Sequence, residues 1–192
     1  ITSHSPYHSQ LQHMLKDLGY RHILLVRDPR DIVVSHAHFV TRETWHSHHG
    51  YFTQELKDQD ERIAASIAGF DAHEGYRPLP SIREIMLGFL KWQEDPQVLV
   101  CRFEDMVGSS GGGDDQTQID TTRRIADFVE RPLTDKQLHQ VASGMYSKSG
   151  LTFRKGMIGD WRNHFTDAHL RLFKETAGDI LIQLGYETEY NW

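Results

Sequence analysis

The sequence predicts an α/β fold of three layers, with helices on both faces of a short parallel sheet. Three observations predict it. Four consecutive strand-forming residues, Ile23-Leu24-Leu25-Val26, run straight into a helix-start signal, Asp28-Pro29. A second apolar run over 98–103 again lies between helical patterns. Leu11, Met14, Leu15 and Leu18 recur at helical spacing before the first run, and Gly19 ends that pattern.

The elements follow in chain order. Residues 1–6 read as a strand end entering a loop. In the strand expected at 22–27, the four consecutive apolar residues 23–26 suggest burial on both faces, as in a parallel sheet. The helix after Asp28 carries Ile32, Val33, His36, Phe39 and Val40 on its apolar face. Residues 43–51 read as a His-rich loop, 53–67 as a helix, and the glycine- and proline-bearing stretch 69–80 as loop. Ser81-Ile82-Arg83-Glu84 is a capping-box pattern opening a helix that Asp95-Pro96 breaks. The glycine-rich run 109–115 reads as a flexible surface loop. Helices are expected over 119–129 and 135–141, then an irregular stretch 144–156. Thr166-Asp167 caps a final helix closed by Gly185.

Composition narrows the function classes. The chain has 192 residues, which suits one domain with one core. Its formal net charge of −6 argues against nucleic-acid binding, so any anion site is a local basic cluster. No apolar run approaches a membrane span, and none reads as a secretory signal. The single cysteine, Cys101, sits in an apolar run as a small hydrophobe; it excludes an internal disulfide and points to a reducing, cytoplasmic setting.

Two segments are rich in anion-binding chemistry. The first is Arg27-Asp28-Pro29-Arg30-Asp31 with Ser35 beyond it. Ligands collect at the carboxyl ends of parallel strands, and a helix start offers free amides to a phosphate. Arg27 and Arg30 add charge there, and arginine grips phosphate with paired hydrogen bonds. The second is Phe153-Arg154-Lys155-Gly156 followed by Met157-Ile158-Gly159-Asp160-Trp161-Arg162-Asn163. Adjacent cations before a glycine suit a loop wrapping one anion. Read locally, each segment has an ordinary alternative: Arg27 paired with a nearby acid and Ser35 a plain helix residue, or a solvated basic turn.

Together, in this order, the two segments resemble the cytosolic-type sulfotransferases, which use 3′-phosphoadenosine 5′-phosphosulfate. The resemblance runs from about residue 1 to residue 165. It implies a P-loop-NTPase-like α/β/α fold and transfer of a sulfuryl group to a hydroxyl or amine of a small-molecule acceptor. It implies that Arg27, Ser35, Arg154, Lys155 and Gly156 hold the donor's 3′-phosphate. Thr2-Ser3-His4-Ser5-Pro6 stands where the family carries its catalytic histidine, which makes His4 the expected base. The family lysine is replaced by Thr2. Phe103 stands where the family has a tyrosine that seats the adenine nucleotide, and Phe103 has no hydroxyl to offer. The family's first strand and its 5′-phosphosulfate loop have no counterpart, so the chain is expected to be an N-terminally truncated domain. The family's dimer pattern is unmatched at Thr166-Asp167, so no dimer is inferred. No metal is expected, and neither a nucleic acid nor a membrane partner.

The sequence admits three other readings. A non-catalytic sulfotransferase-like remnant would serve as a binding domain. A metal module would use His36, His38, His46, His48 and His49, but His36 and His38 are two apart on a helix and face differently. Within the enzymatic reading, Trp45, His46, His48, His49, Tyr51 and Phe52 are candidates to line the acceptor pocket. Against a nucleoside-triphosphate enzyme stand the absent phosphate-loop lysine and Arg154-Lys155-Gly156 in its place.

Overall fold

The computed structural model describes residues 3–73, 75–147 and 154–192. Thr2, Phe153 and part of the stretch expected to be irregular, 144–156, lie outside them. The chain forms two compact units, one of residues 1–27 and 89–158, the other of 28–88 and 159–192.

The first unit holds α1 (Ser9–Asp17), β1 (His22–Val26), β2 (Val98–Arg102), α5 (Asp115–Phe128) and α6 (Asp135–Met145). β1 and β2 pair in parallel, from His22 opposite Val98 to Val26 opposite Arg102. One face of the pair is packed: Leu24 and Val26 are buried with Trp92 against Leu11, Leu15 and Phe89. The other face departs from expectation. Leu25 is 55% exposed, so β1 is not buried on both sides. A continuous apolar run cannot say which of its two alternating faces is covered. Cys101 is buried as expected, and burial raises its thiol pKa.

The second unit contains α2 (Pro29–Arg42), α3 (Gln59–Ala68) and α7 (Asp167–Gln183), and α4 (Ile82–Leu90) begins in it. Asp28 starts α2 as its sequence foretells, with its side chain accepting from the Arg30 amide and Pro29 in the first turn. Val33, Val34, Ala37 and Val40 are the fully buried residues of α2's core face. The helix expected over 53–67 begins later. Asp58 caps α3 through the Glu61 amide, and residues Tyr51–Glu55 form a separate π-helical turn that buries Phe52. Ser81 and Glu84 bond reciprocally before α4, and Thr166 with His169 forms a capping box before α7. Among the described residues, no helix is long and apolar enough to cross a membrane.

Candidate functional site

The parallel register builds the site in the first unit. Val26 pairs with Arg102, so Arg27 and Phe103 each stand one residue past the last pair, side by side at the carboxyl end of the strands. The Arg27 guanidinium lies 4.2 Å from the Phe103 ring centroid. That is cation–π contact distance, and it holds the long arginine chain in one place. From there Arg27 Nη2 donates to the carbonyl oxygen of Met157 at 3.0 Å. Met157 directly follows Arg154-Lys155-Gly156. Two segments 130 residues apart in sequence therefore meet, and three cations stand on or against one turn.

That turn is held from behind. Gly156 has φ +62°, a conformation other residues adopt only under strain. Tyr146 Oη donates to the Lys155 carbonyl at 3.0 Å, and the Ile158 amide donates to the Gly111 carbonyl at 3.0 Å. Gly111 belongs to the glycine-rich run expected to be a flexible surface loop. The structure corrects that expectation. The run is a built turn: the Gly113 amide donates to Gly108 O at 2.8 Å, Asp115 accepts from the Ser109 amide, and Asp114 caps α5. Gly111 itself is buried. A Cβ there would lie 2.5 Å from Val107 Cβ and 3.0 Å from the Gly156 carbonyl oxygen. Sequence reading missed this support, because a cluster of small residues carries no sign of what packs against it.

His4 is exposed in the segment leading to α1. The next residues are tied to the first unit's core: Trp92 Nε1 donates to the Ser5 carbonyl at 3.4 Å, and Tyr7 meets the Trp92 ring edge-on at 5.0 Å. No described contact joins His4 to Arg27 or to the 154–158 turn. Ser35 lies in the second unit, half-buried on α2.

Arg30 departs from its expected part. It is 2% exposed, paired with Asp28 at 2.7 Å and Glu187 at 2.5 Å, and packed between the rings of Trp161 and Trp192. Its charge is spent inside the second unit, where those carboxylates hold its pKa up against burial. Asp31, beside it, is a residue that sequence reading left without a role. Its buried carboxylate accepts from the amides of Gly159 and Trp161 at 2.8 and 2.9 Å, which fixes the start of the Asp160–Asn163 turn. An acid in the first helical turn reads only as a partner for the helix dipole, so its long-range role was not legible.

The histidines divide as the helix geometry demands. His36 bonds Ser66 Oγ at 2.9 Å and meets His46 and Phe52 edge-on, whereas His38 faces His164. Burial, then the neighbouring His46 and His48, lowers the His36 pKa to about 4. Burial likewise lowers that of His46. Among the described residues, no group of three or more His, Cys, Asp or Glu is placed to hold a metal ion. Of the candidate acceptor-lining residues, Phe52 is fully buried and belongs to the core, while Trp45 is 74% exposed. Tyr51 stacks on Phe70 at 4.0 Å, and His48 Nε2 contacts the Pro78 carbonyl.

The sulfotransferase domain profile matches residues 1–185, across both units. The chain belongs to the sulfotransferase domain family. Sulfotransferase 6B1 of Danio rerio is 26% identical over 166 residues, covering 80% of this chain and 49% of that protein. Sulfotransferase 2A6 of Rattus norvegicus is 27% identical over 193 residues, covering 90% and 60%. The chain thus spans half to three-fifths of the length of these family members. Among solved structures, mouse sulfotransferase SULT7A1 complexed with PAP superposes with a TM-score of 0.64 at 19% identity, over 87% of this chain and 61% of that one. The fold is that α/β fold. Within it, Arg154-Lys155-Gly156 leads directly into Met157, whose carbonyl Arg27 reaches.

Proposed function

We propose that this chain carries the 3′-phosphate site of a sulfotransferase that moves a sulfuryl group from 3′-phosphoadenosine 5′-phosphosulfate to a hydroxyl or amine of a small molecule. The Arg27–Met157 hydrogen bond is the observation that carries the reading, because it sets a guanidinium against the Arg154-Lys155-Gly156 turn. A doubly charged phosphoryl group needs more than one cation and several amide or guanidinium donors, and this turn offers both. On an acidic chain such a concentration of positive charge selects a compact anion. The SULT7A1 structure holds PAP, the nucleotide left when the donor has lost its sulfuryl group, and that agrees with the reading.

Arg27, Arg154 and Lys155 supply charge, and Gly156 lets the backbone approach the phosphate. Phe103 fixes Arg27 and gives the adenine end an aromatic wall. The donor, when bound, brings the activated sulfuryl group. His4 accepts the proton of the acceptor hydroxyl as that oxygen bonds to sulfur and the bond from sulfur to the bridging oxygen breaks. Positioning and charge, rather than covalent help from the protein, lower the barrier of such transfers. A reducing, cytoplasmic setting fits the single buried cysteine.

Titration of the 192-residue chain with adenosine 3′,5′-bisphosphate tests the proposal. Saturable binding that weakens with added salt is expected, and adenosine should not compete. Absence of saturable heat at millimolar nucleotide, or equal binding of adenosine, would reject it.

A further inference from the structure

The connection between α5 and α6 borders an apolar groove of about 230 Å³, lined by none of the residues assigned above to the phosphate site. It lies entirely within the first unit. Ile125 and Ala126 of α5, Val129 and Leu133 of the connection, and Val141 and Met145 of α6 form its walls. Thr122, the remaining neutral lining residue, spends its hydroxyl on the Gln118 carbonyl at 2.8 Å. Among the described lining residues only Arg131 is charged, and it is exposed.

The backbone around Arg131 is constrained. Glu130 is the one described non-glycine residue with a positive φ, +56°. It adopts the left-handed conformation that usually falls to glycine at a helix end, and its carboxylate is ion-paired to Arg21. The Arg131 amide then returns to the Ala126 carbonyl at 2.8 Å, closing the end of α5 and keeping Arg131 on the groove. Backbone held in an unfavourable region points to a position over-determined by its surroundings. Here that position is a cation at the edge of an apolar wall.

We propose that the groove binds a small amphipathic monoanion, a short alkyl chain ending in a carboxylate, with the chain along the apolar walls and the carboxylate on Arg131. The size is decisive: about 230 Å³ lies below the roughly 300–1,000 Å³ of pockets for drug-sized ligands. The charge is decisive too, since a carboxylate gains a charge-assisted, bidentate bond from arginine and a neutral head does not. Sodium octanoate and octan-1-ol, titrated separately into the full chain and followed by amide chemical shifts, make the test. Octanoate should saturate at one site on α5 and α6, and octanol should bind about tenfold more weakly. Arg131→Gln should bring octanoate down to the octanol level and leave octanol unchanged. Val141→Trp, at a position already 44% exposed, should fill the groove and abolish both. Equal binding of the two probes, an unchanged Arg131→Gln variant, unsaturated shifts spread over the surface, or self-association of the chain through this face would each overturn the proposal.

Discussion

Arg27 Nη2 donates to the Met157 carbonyl oxygen at 3.0 Å, joining the end of the first strand to the turn that follows Arg154-Lys155-Gly156. The parallel register aims the arginine, the Phe103 ring holds it at 4.2 Å, and the glycine-rich turn positions its acceptor. If this is the 3′-phosphate site, removing either guanidinium removes hydrogen bonds to a charged group. Arg27→Ala and Arg154→Ala should each weaken adenosine 3′,5′-bisphosphate binding by about 1.5–3 kcal/mol. Calorimetric titration reads this directly, and unchanged affinity in both variants would remove these residues from the site.

Gly111 tests whether the supporting turn matters. A methyl group there meets Val107 at 2.5 Å and the Gly156 carbonyl at 3.0 Å, both of which are backbone or branched near the backbone and cannot swing away. Gly111→Ala should lower stability by about 1–3 kcal/mol, as other overpacking changes do, and weaken nucleotide binding beyond that of the folded fraction. Gly144 in α6 is the control: a Cβ there has nothing within 4 Å. Gly144→Ala should raise stability by about 0.5–1 kcal/mol and leave binding alone. Thermal melts with and without nucleotide separate the two effects.

Asp31 anchors the other half of the long motif. Replacing it with alanine leaves the Gly159 and Trp161 amides without their carboxylate, at about 1–3 kcal/mol for each buried donor left unmade. Asp31→Asn keeps one acceptor oxygen and should lie between alanine and the parent. Denaturant melts rank the three. A parent-like Asp31→Ala would mean that the turn at Asp160–Asn163 is held by other contacts.

Local signals with a fixed grammar were legible before any coordinates: Asp28 and Pro29 at α2, the Ser81–Glu84 pair, Thr166 at α7 and the strand at 22–26. The same reading placed Arg27 near Arg154-Lys155, but only because the family motif joined them; nothing local in either segment names the other. Arg30 shows why charge alone misleads. It stands three residues from Arg27 in the same basic segment, yet Asp28, Glu187 and two tryptophans draw it into the core. Its partner Glu187 lies 157 residues away, beyond any local pattern. Residues 109–115 failed for the opposite reason: composition reported flexibility, while Asp114, Asp115 and the Gly108 carbonyl lock the backbone.

His4 is tested by turnover rather than binding. On the proposed reading, His4→Ala should lower the rate of sulfuryl transfer about 10²-fold or more, the contribution usual for a positioned general base. Donor affinity should hold, because the role assigned to His4 is toward the acceptor's proton and the roles assigned to Arg27, Arg154 and Lys155 are toward the phosphate. Transfer of radiolabelled sulfate from donor to acceptor gives the rate, and bisphosphate titration gives the affinity. Near-normal turnover would take the proton-accepting role away from His4.

The histidine cluster of the second unit makes stability depend on pH in a definite direction. His36 has a folded pKa of about 4, set by burial and then by His46 and His48, against an ordinary 6.5. Above 6.5 the ring is neutral in both folded and unfolded chains and contributes no slope. Between 6.5 and about 4 the unfolded chain takes up a proton that the folded chain refuses, so stability falls as the pH falls. Below about 4 both states are protonated and the slope from this group ends. A shift of this size corresponds to a loss on the order of 3 kcal/mol across the window. His46, lowered by burial and by its neighbours His48 and His49, adds to the fall in the same direction. His36→Gln retains an amide to meet Ser66 Oγ and has no proton to gain, so its denaturation midpoint should vary less between pH 7 and pH 4.5 than the parent's. Equal pH dependence in parent and variant would show that the ring accepts its proton in the folded chain at little cost, and that the His36–His46–Phe52 packing is looser than its edge-on contacts imply.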